Sequence, residues 1–151
     1  MRSQVSERSE VPAGIEELAS QVISAAVDVH RKLGPGFLES VYKRAMEVEL
    51  RHQEIPFQTE AIVRVNYRHI EVGRGRVDLL IDDKLVVELK ATQHITNVHR
   101  AQALHYLKAT GLPLALILNF HRSLLLRGTH RVVLTAKQDE HKSNQKRHEP
   151  R

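Results

Sequence analysis

Between residues 85 and 90 the chain reads Leu-Val-Val-Glu-Leu-Lys, an apolar run that admits two charges. On a strand, side chains alternate between faces, so Glu88 and Lys90 project together with Val86 while Leu85, Val87 and Leu89 take the other side. Placing an acid and an amine in so apolar a strand is costly unless each meets a partner or an ion. The run therefore constrains the fold, which must cover both faces, and the chemistry, which must account for the charges. Residues 76–81, Arg-Val-Asp-Leu-Leu-Ile, read as a second strand, joined to the first through the polar Asp82-Asp83-Lys84 as a hairpin. Whether Asp78 meets Glu88 depends on the turn. A two-residue loop at 82–83 pairs Asp78 with Val87 and sends Glu88 to the opposite face, whereas a three-residue loop at 82–84 pairs Asp78 with Glu88 directly.

The remaining chain supplies the cover. Ile15, Leu18, Ala19, Val22, Ile23, Ala26 and Val29 recur at helical spacing, and Gly34-Pro35-Gly36 ends that helix. A second helix is expected at about 38–52, with Pro56 marking its end. From Phe57 the period changes to two, which predicts a half-buried strand to Tyr67, and residues 68–75, with two glycines, are read as a turn region. Thr96 or Asn97 can cap a third helix running to Thr110, closed by Gly111 and Pro113. Residues 114–118, Leu-Ala-Leu-Ile-Leu, suit a strand covered on both faces. Two short strands are expected last, at 123–126 and 132–135. An antiparallel meander followed by a crossover helix gives a mixed α/β domain, a mixed sheet with helices packed on it.

At 151 residues the chain suits one domain, large enough to bury a core without a metal or disulfide staple. We assign residues 1–13 to a flexible lead, 14–136 to the domain, and 137–151, which lack any apolar side chain, to a disordered tail. There is no cysteine, so disulfides and thiolate metal sites are excluded, in keeping with a cytoplasmic location. No stretch approaches the ~20 apolar residues that span a bilayer. The net charge is +5, of which five Lys/Arg against three Asp/Glu place +2 in the tail. An excess this mild permits a nucleic-acid partner without requiring one. Aromatic content of 4% with no tryptophan argues against a base-stacking platform.

Asp78 beside Glu88 would leave two carboxylates in mutual repulsion, which a divalent cation relieves. All-oxygen ligation suits Mg²⁺ or Mn²⁺ rather than zinc. Such an ion polarises a phosphoryl oxygen and acidifies a bound water. Lys90 would stand beside the attacking water or the phosphate. It either stabilises developing charge, the role favoured for an ammonium next to two carboxylates, or serves as a base if its pKa is lowered. The ordinary alternative is a salt-bridged strand face with Asp78 a solvated neighbour. The ten histidines show no i, i+4 zinc spacing; His99 and His105 are the two that could approach a phosphate. Gly73-Arg74-Gly75-Arg76 lacks the lysine and helix start of a phosphate loop, though its arginines could meet a nucleic-acid backbone.

Residues 34–42, GPGFLESVY, contain Gly36-x-x-Glu39-x-x-Tyr42. With Arg76-Val77-Asp78-Leu79-Leu80, Val87-Glu88-Leu89-Lys90-Ala91, residues 101–111 (AQALHYLKATG) and Leu118-Asn119-Phe120, the chain resembles the GxxExxY proteins, a prokaryotic group assigned to the PD-(D/E)xK nuclease superfamily. The resemblance runs over roughly residues 15–127. It implies a restriction-endonuclease-like core. It implies that Asp78 and Glu88 bind metal, that Lys90 is catalytic, and that Glu39 on the preceding helix completes the metal set. Gln102 matches a position on the following helix that points into such sites. The proline of the motif is replaced by Val77. Tyr42 either orients Glu39 or is a core tyrosine with a bonded hydroxyl. The activity implied is metal-dependent hydrolysis of a nucleic-acid phosphodiester, DNA before RNA. The rival is a non-catalytic nucleic-acid-binding or protein-interaction module on the same fold. A homodimer or protein partner would help so small a core engage a duplex.

Overall fold

A computed structural model describes residues 11–135. The tail at 137–151 and most of the lead at 1–13 lie outside the described residues; within the lead, Val11 is buried and Pro12 precedes the first helix. Helix α1 spans Ala13–Leu33 and α2 spans Glu39–His52. Strands β1 (Phe57–Tyr67), β2 (Ile70–Ile81) and β3 (Leu85–Lys90) follow. Then come α3 (Asn97–Thr110), β4 (Leu114–Asn119), a single 3₁₀ turn at Leu125–Gly128 and β5 (Thr129–Val133). The five strands lie in sequence order in one sheet. Only β3 and β4 are parallel, joined by the α3 crossover; the other neighbours are antiparallel. This is the mixed α/β arrangement expected, with the helices covering a mixed central sheet.

Helices α1 and α2 cover one face. Their stripe of Ala19, Val22, Ala25, Ala26, Val29, Tyr42, Met46 and Leu50 packs on Leu85, Val87 and Leu89 of β3 and Leu114, Leu116 and Leu118 of β4. Helix α3 covers the other with Ala103 and Leu107 against Val86, Ala115 and Ile117. Strands β3 and β4 thus have both faces in a core, which is why their sequences read as continuous apolar runs. Fully burying each such aliphatic side chain contributes about 1.5–3 kcal/mol. The cap expected for α3 is present: Thr96 accepts from the His99 N–H while the His99 ring accepts from the Thr96 N–H. That bond occupies His99 at the helix end.

Two segments differ from the sequence reading. Strand β2 begins at Ile70, so the turn is confined to residues 68–69, and Gly73 and Gly75 are strand residues opposite Val65 and Val63. Glycine is weak in strands on its own account, but Gly75 lies against Tyr106 of α3 so closely that a Cβ there would stand 2.5 Å from the ring. The second difference is at the end: residues 123–126 form no strand. Their backbone runs into the 3₁₀ turn, and a single closing strand, β5, starts at Thr129. Gly128 approaches the Asn119 carbonyl too closely for any side chain, which fixes the turn against the end of β4.

Candidate active site

The hairpin loop has three residues. Ile81 pairs with Leu85, Leu80 with Val86 and Leu79 with Val87, and the Lys84 N–H closes the turn on the Ile81 carbonyl at 2.9 Å. Asp82 and Asp83 both take left-handed backbone conformations, with φ of 49° and 55°, a region that aspartate tolerates better than most residues. Continuing this register puts Asp78 opposite Glu88, the odd-loop pairing set out above.

The backbone ladder stops just there. Strand β3 continues beside β4 to the Lys90–Asn119 pair, while β2 follows β1 away, so the two strands fork. Side chains take over from the ladder inside the fork. The Asp78 N–H donates to Glu88 Oε1 at 2.9 Å, and the Leu89 N–H donates to Asp78 Oδ2 at 2.8 Å. Each carboxylate is therefore held through one oxygen by the partner strand's backbone. These reciprocal bonds satisfy buried N–H groups that would otherwise be orphaned, and they aim the two acids together.

Glu88 is 7% exposed. Burial, and next the charge of Asp78, push its pKa up to about 7, against the lowering influence of the Asp78 N–H, Lys90 and Lys43. Lys90, the last residue of β3, turns its amine toward Glu39 at 3.9 Å, with both side chains partly exposed. Glu39 opens α2, where an acid also complements the helix dipole. It faces the amine and not the Asp78–Glu88 pair. Among the described residues, no three Asp, Glu or His side chains are arranged to hold a metal ion.

Two residues passed over at the sequence level stand in the site. Lys43, one turn beyond Glu39, bonds Asp78 Oδ1 at 3.0 Å and also bonds Glu60. Tyr106 receives a hydrogen bond from Gln102 Nε2 at 2.9 Å, and burial followed by the charge of Glu88 raises its pKa. Gln102 itself is exposed and reaches the pair only through that ring. The signal for both was present: Lys43 is four residues after Glu39, and Tyr106 four after Gln102, spacings that share a helix face. Tyr42 is the core tyrosine of the two readings. It is buried, stacks on Phe120 with centroids 4.6 Å apart, donates to the Gly34 carbonyl at 2.6 Å and accepts from the Phe37 N–H at 3.2 Å. It thereby holds the loop in which Gly36 adopts φ of 110°, and so sets where α2 and Glu39 begin.

The chemistry of the donors suits a hard divalent cation in part. Asp78 and Glu88 offer adjacent carboxylate oxygens in a partly dry fork, which is the ligand type such ions take. Glu39 adds no third ligand while it faces Lys90, and Lys43 holds the outward oxygen of Asp78. A family model described as the PD-(D/E)XK nuclease superfamily matches residues 16–132. No curated protein matches the sequence. Among solved structures, the crystal structure of SSO0001 is similar at 15% identity with a TM-score of 0.46, over 67% of this chain and 52% of that one. The chain thus spans about half the length of that structure.

Proposed function

The chain belongs to the PD-(D/E)XK nuclease superfamily, and from that membership we propose that it is a divalent-metal-dependent nuclease that hydrolyses nucleic-acid phosphodiesters, DNA before RNA. Within the superfamily we place it with the GxxExxY group, on Gly36, Glu39 and Tyr42, and we place its work in the cytoplasm, with the domain at residues 14–136 between flexible ends. The observation that carries the reading is the reciprocal bonding of Asp78 and Glu88 at the strand fork, with Lys90 two residues along the same strand.

In this reading Asp78 and Glu88 hold the ion, Mg²⁺ or Mn²⁺, with Glu39 joining when it leaves Lys90. The ion would polarise a phosphoryl oxygen and lower the pKa of a bound water. The Leu89 and Asp78 N–H groups hold the carboxylates in fixed orientation, so little reorganisation remains when substrate arrives. Lys90 has an amine that is partly exposed and not buried in a core. It stands beside the acids and stabilises charge on the phosphate. Gln102 positions the Tyr106 hydroxyl at the α3 side of the fork. A second copy or a protein partner would extend the surface that meets a duplex.

The test is cleavage of linear and circular DNA and of RNA with Mg²⁺, Mn²⁺ or chelator. Activity should require the metal and fall about 10²-fold or more in Asp78→Asn and Lys90→Ala. Metal-independent cleavage, or variants as active as the parent, would overturn the assignment. The second reading, a non-catalytic module on the same fold, draws on the absence of three converging ligands among the described residues. Salt-sensitive binding of nucleic acid without turnover under any metal would establish it.

A further inference from the structure

Asp78 has one oxygen left after Leu89 takes Oδ2, and Lys43 takes it. An ion ligated by Asp78 from the open side of the fork would use that same Oδ1. Lys43 also bonds Glu60. The β1–β2 register places Glu60 opposite Asp78, with Thr59 paired to Leu79 and Ala61 to Val77, and Glu60 itself takes a left-handed backbone with φ of 50°. Two acids across one rung thus form a notch, and an ammonium from α2 fills it. The Lys43 side chain is 23% exposed and Glu60 45%, so the amine stands at the mouth of the fork, with Glu60 on the solvent side.

We propose that Lys43 is the resident counter-ion of this site. Its ammonium occupies the cation position at Asp78 in the metal-free protein and gives way, still tethered to Glu60, when a divalent cation binds. This rests on the metal-dependent reading above. The electrostatics favour such an exchange. Asp78 and Glu88 repel each other in a partly dry fork, and a single ammonium offsets only part of that. A divalent ion supplies twice the charge and can take oxygens from both acids. Lysine suits the role because its amine is a point charge on a flexible four-carbon stem and can move a few ångströms without disturbing the helix. Arginine would lock a planar fork onto the carboxylate. The consequence is competition: Lys43 stabilises the metal-free fold and weakens metal binding by the same interaction, so the site discriminates against monovalent ions, which offer no more charge than the amine already there.

The experiment uses the full chain with Mn²⁺ alone as probe. Calorimetry or electron paramagnetic resonance gives Mn²⁺ affinity for the parent and for Lys43→Met, which keeps the alkyl stem. The variant should bind about tenfold more tightly, equal to about 1.4 kcal/mol, and its lowered metal-free thermal midpoint should recover as Mn²⁺ is added. In the parent, acylation of the Lys43 amine, followed by mass spectrometry, should rise at saturating Mn²⁺. Equal or weaker Mn²⁺ binding by Lys43→Met removes Lys43 from the role and leaves the nuclease reading intact. Failure of both proteins to bind Mn²⁺ overturns the metal-dependent reading along with it. Should the variant not fold, unchanged labelling of the parent on Mn²⁺ addition is the overturning result.

Discussion

At Glu88 the strand holds a carboxylate where water scarcely reaches, and the folded chain answers by keeping a proton on it up to about pH 7. The ordinary value is 4.5, so between these limits the folded state binds a proton that the unfolded chain releases. The stabilisation this gives is complete below about pH 4.5 and is lost as pH climbs through about 7. Glu88→Gln keeps an oxygen for the Asp78 N–H and removes the ionisation. In chelator, it should match the parent at pH 4.5 and exceed it at pH 8 by up to about 3 kcal/mol, measured by urea denaturation at both pH values. A variant no more stable than the parent at pH 8 would mean that the charged carboxylate sits there without strain. On the metal-dependent reading proposed above, the same ionisation would make metal affinity fall as Glu88 takes its proton below about pH 7. This part of the site was half legible. An acid and an amine two apart in Leu85–Lys90 announce a shared face, but the sequence does not tell which backbone donors meet them. Nor does it show that Lys43, from α2, reaches the other oxygen of Asp78.

Among the elements, those whose pattern is local were readable and those set by a neighbour were not. Helix α1 stops where Gly34-Pro35-Gly36 predicts, α3 starts at its Thr96 cap, and β3 covers the expected residues. The loop count could be posed as a choice between two and three residues, because parity alone decides whether Asp78 meets Glu88. Strand β2 was misjudged at Gly73 and Gly75 because glycine in sequence reads as turn chemistry. Here Gly75 is needed for a tertiary reason, the ring of Tyr106 packed directly on it from α3. Gly75→Ala should cost about 1–3 kcal/mol by overpacking and shift the Tyr106 ring from the fork. Gly75→Ala combined with Tyr106→Ala should recover much of that loss, since the second change removes the atom that clashes. A double-mutant cycle from denaturation curves checks it; costs that simply add would mean the glycine serves the strand and not the ring.

For the molecule as a whole, the fork stands at the root of a long arm made by β1 and β2 beyond the point where β3 leaves them. Residues 62–76 of that arm carry Arg64, Arg68, Arg74 and Arg76 against one acid, Glu71, which pairs with Arg64 and Arg74. Where the arm passes α3, a cavity of about 490 Å³ is lined by Arg64, Asn66, His105 and Lys108 among others; a smaller one of about 250 Å³, on the arm itself, is lined by Ile62, Arg74, Gly75 and Arg76. Neither Arg76 nor Lys108 has an ion-pair partner among the described residues. Gly75, between two of the arginines, faces Tyr106, so by strand alternation Arg74 and Arg76 project from the opposite face of the arm, with their cross-strand neighbours Arg64 and Ile62. A net charge of +5 spread evenly would steer little, whereas cations gathered along the arm that leads from the fork would offer a phosphate backbone a path toward it. If nucleic acid is the substrate and follows this path, Arg76→Gln and Lys108→Gln should each weaken binding regardless of sequence. Each should also reduce the slope of log affinity against log salt by about 0.9, measured by fluorescence anisotropy in chelator. Because neither side chain bonds the Asp78–Glu88 pair, metal affinity should stay at the parent value in both. Weaker binding with an unchanged salt slope would place the phosphates elsewhere. A loss of Mn²⁺ affinity would mean that the arm shapes the fork itself instead of delivering a strand to it.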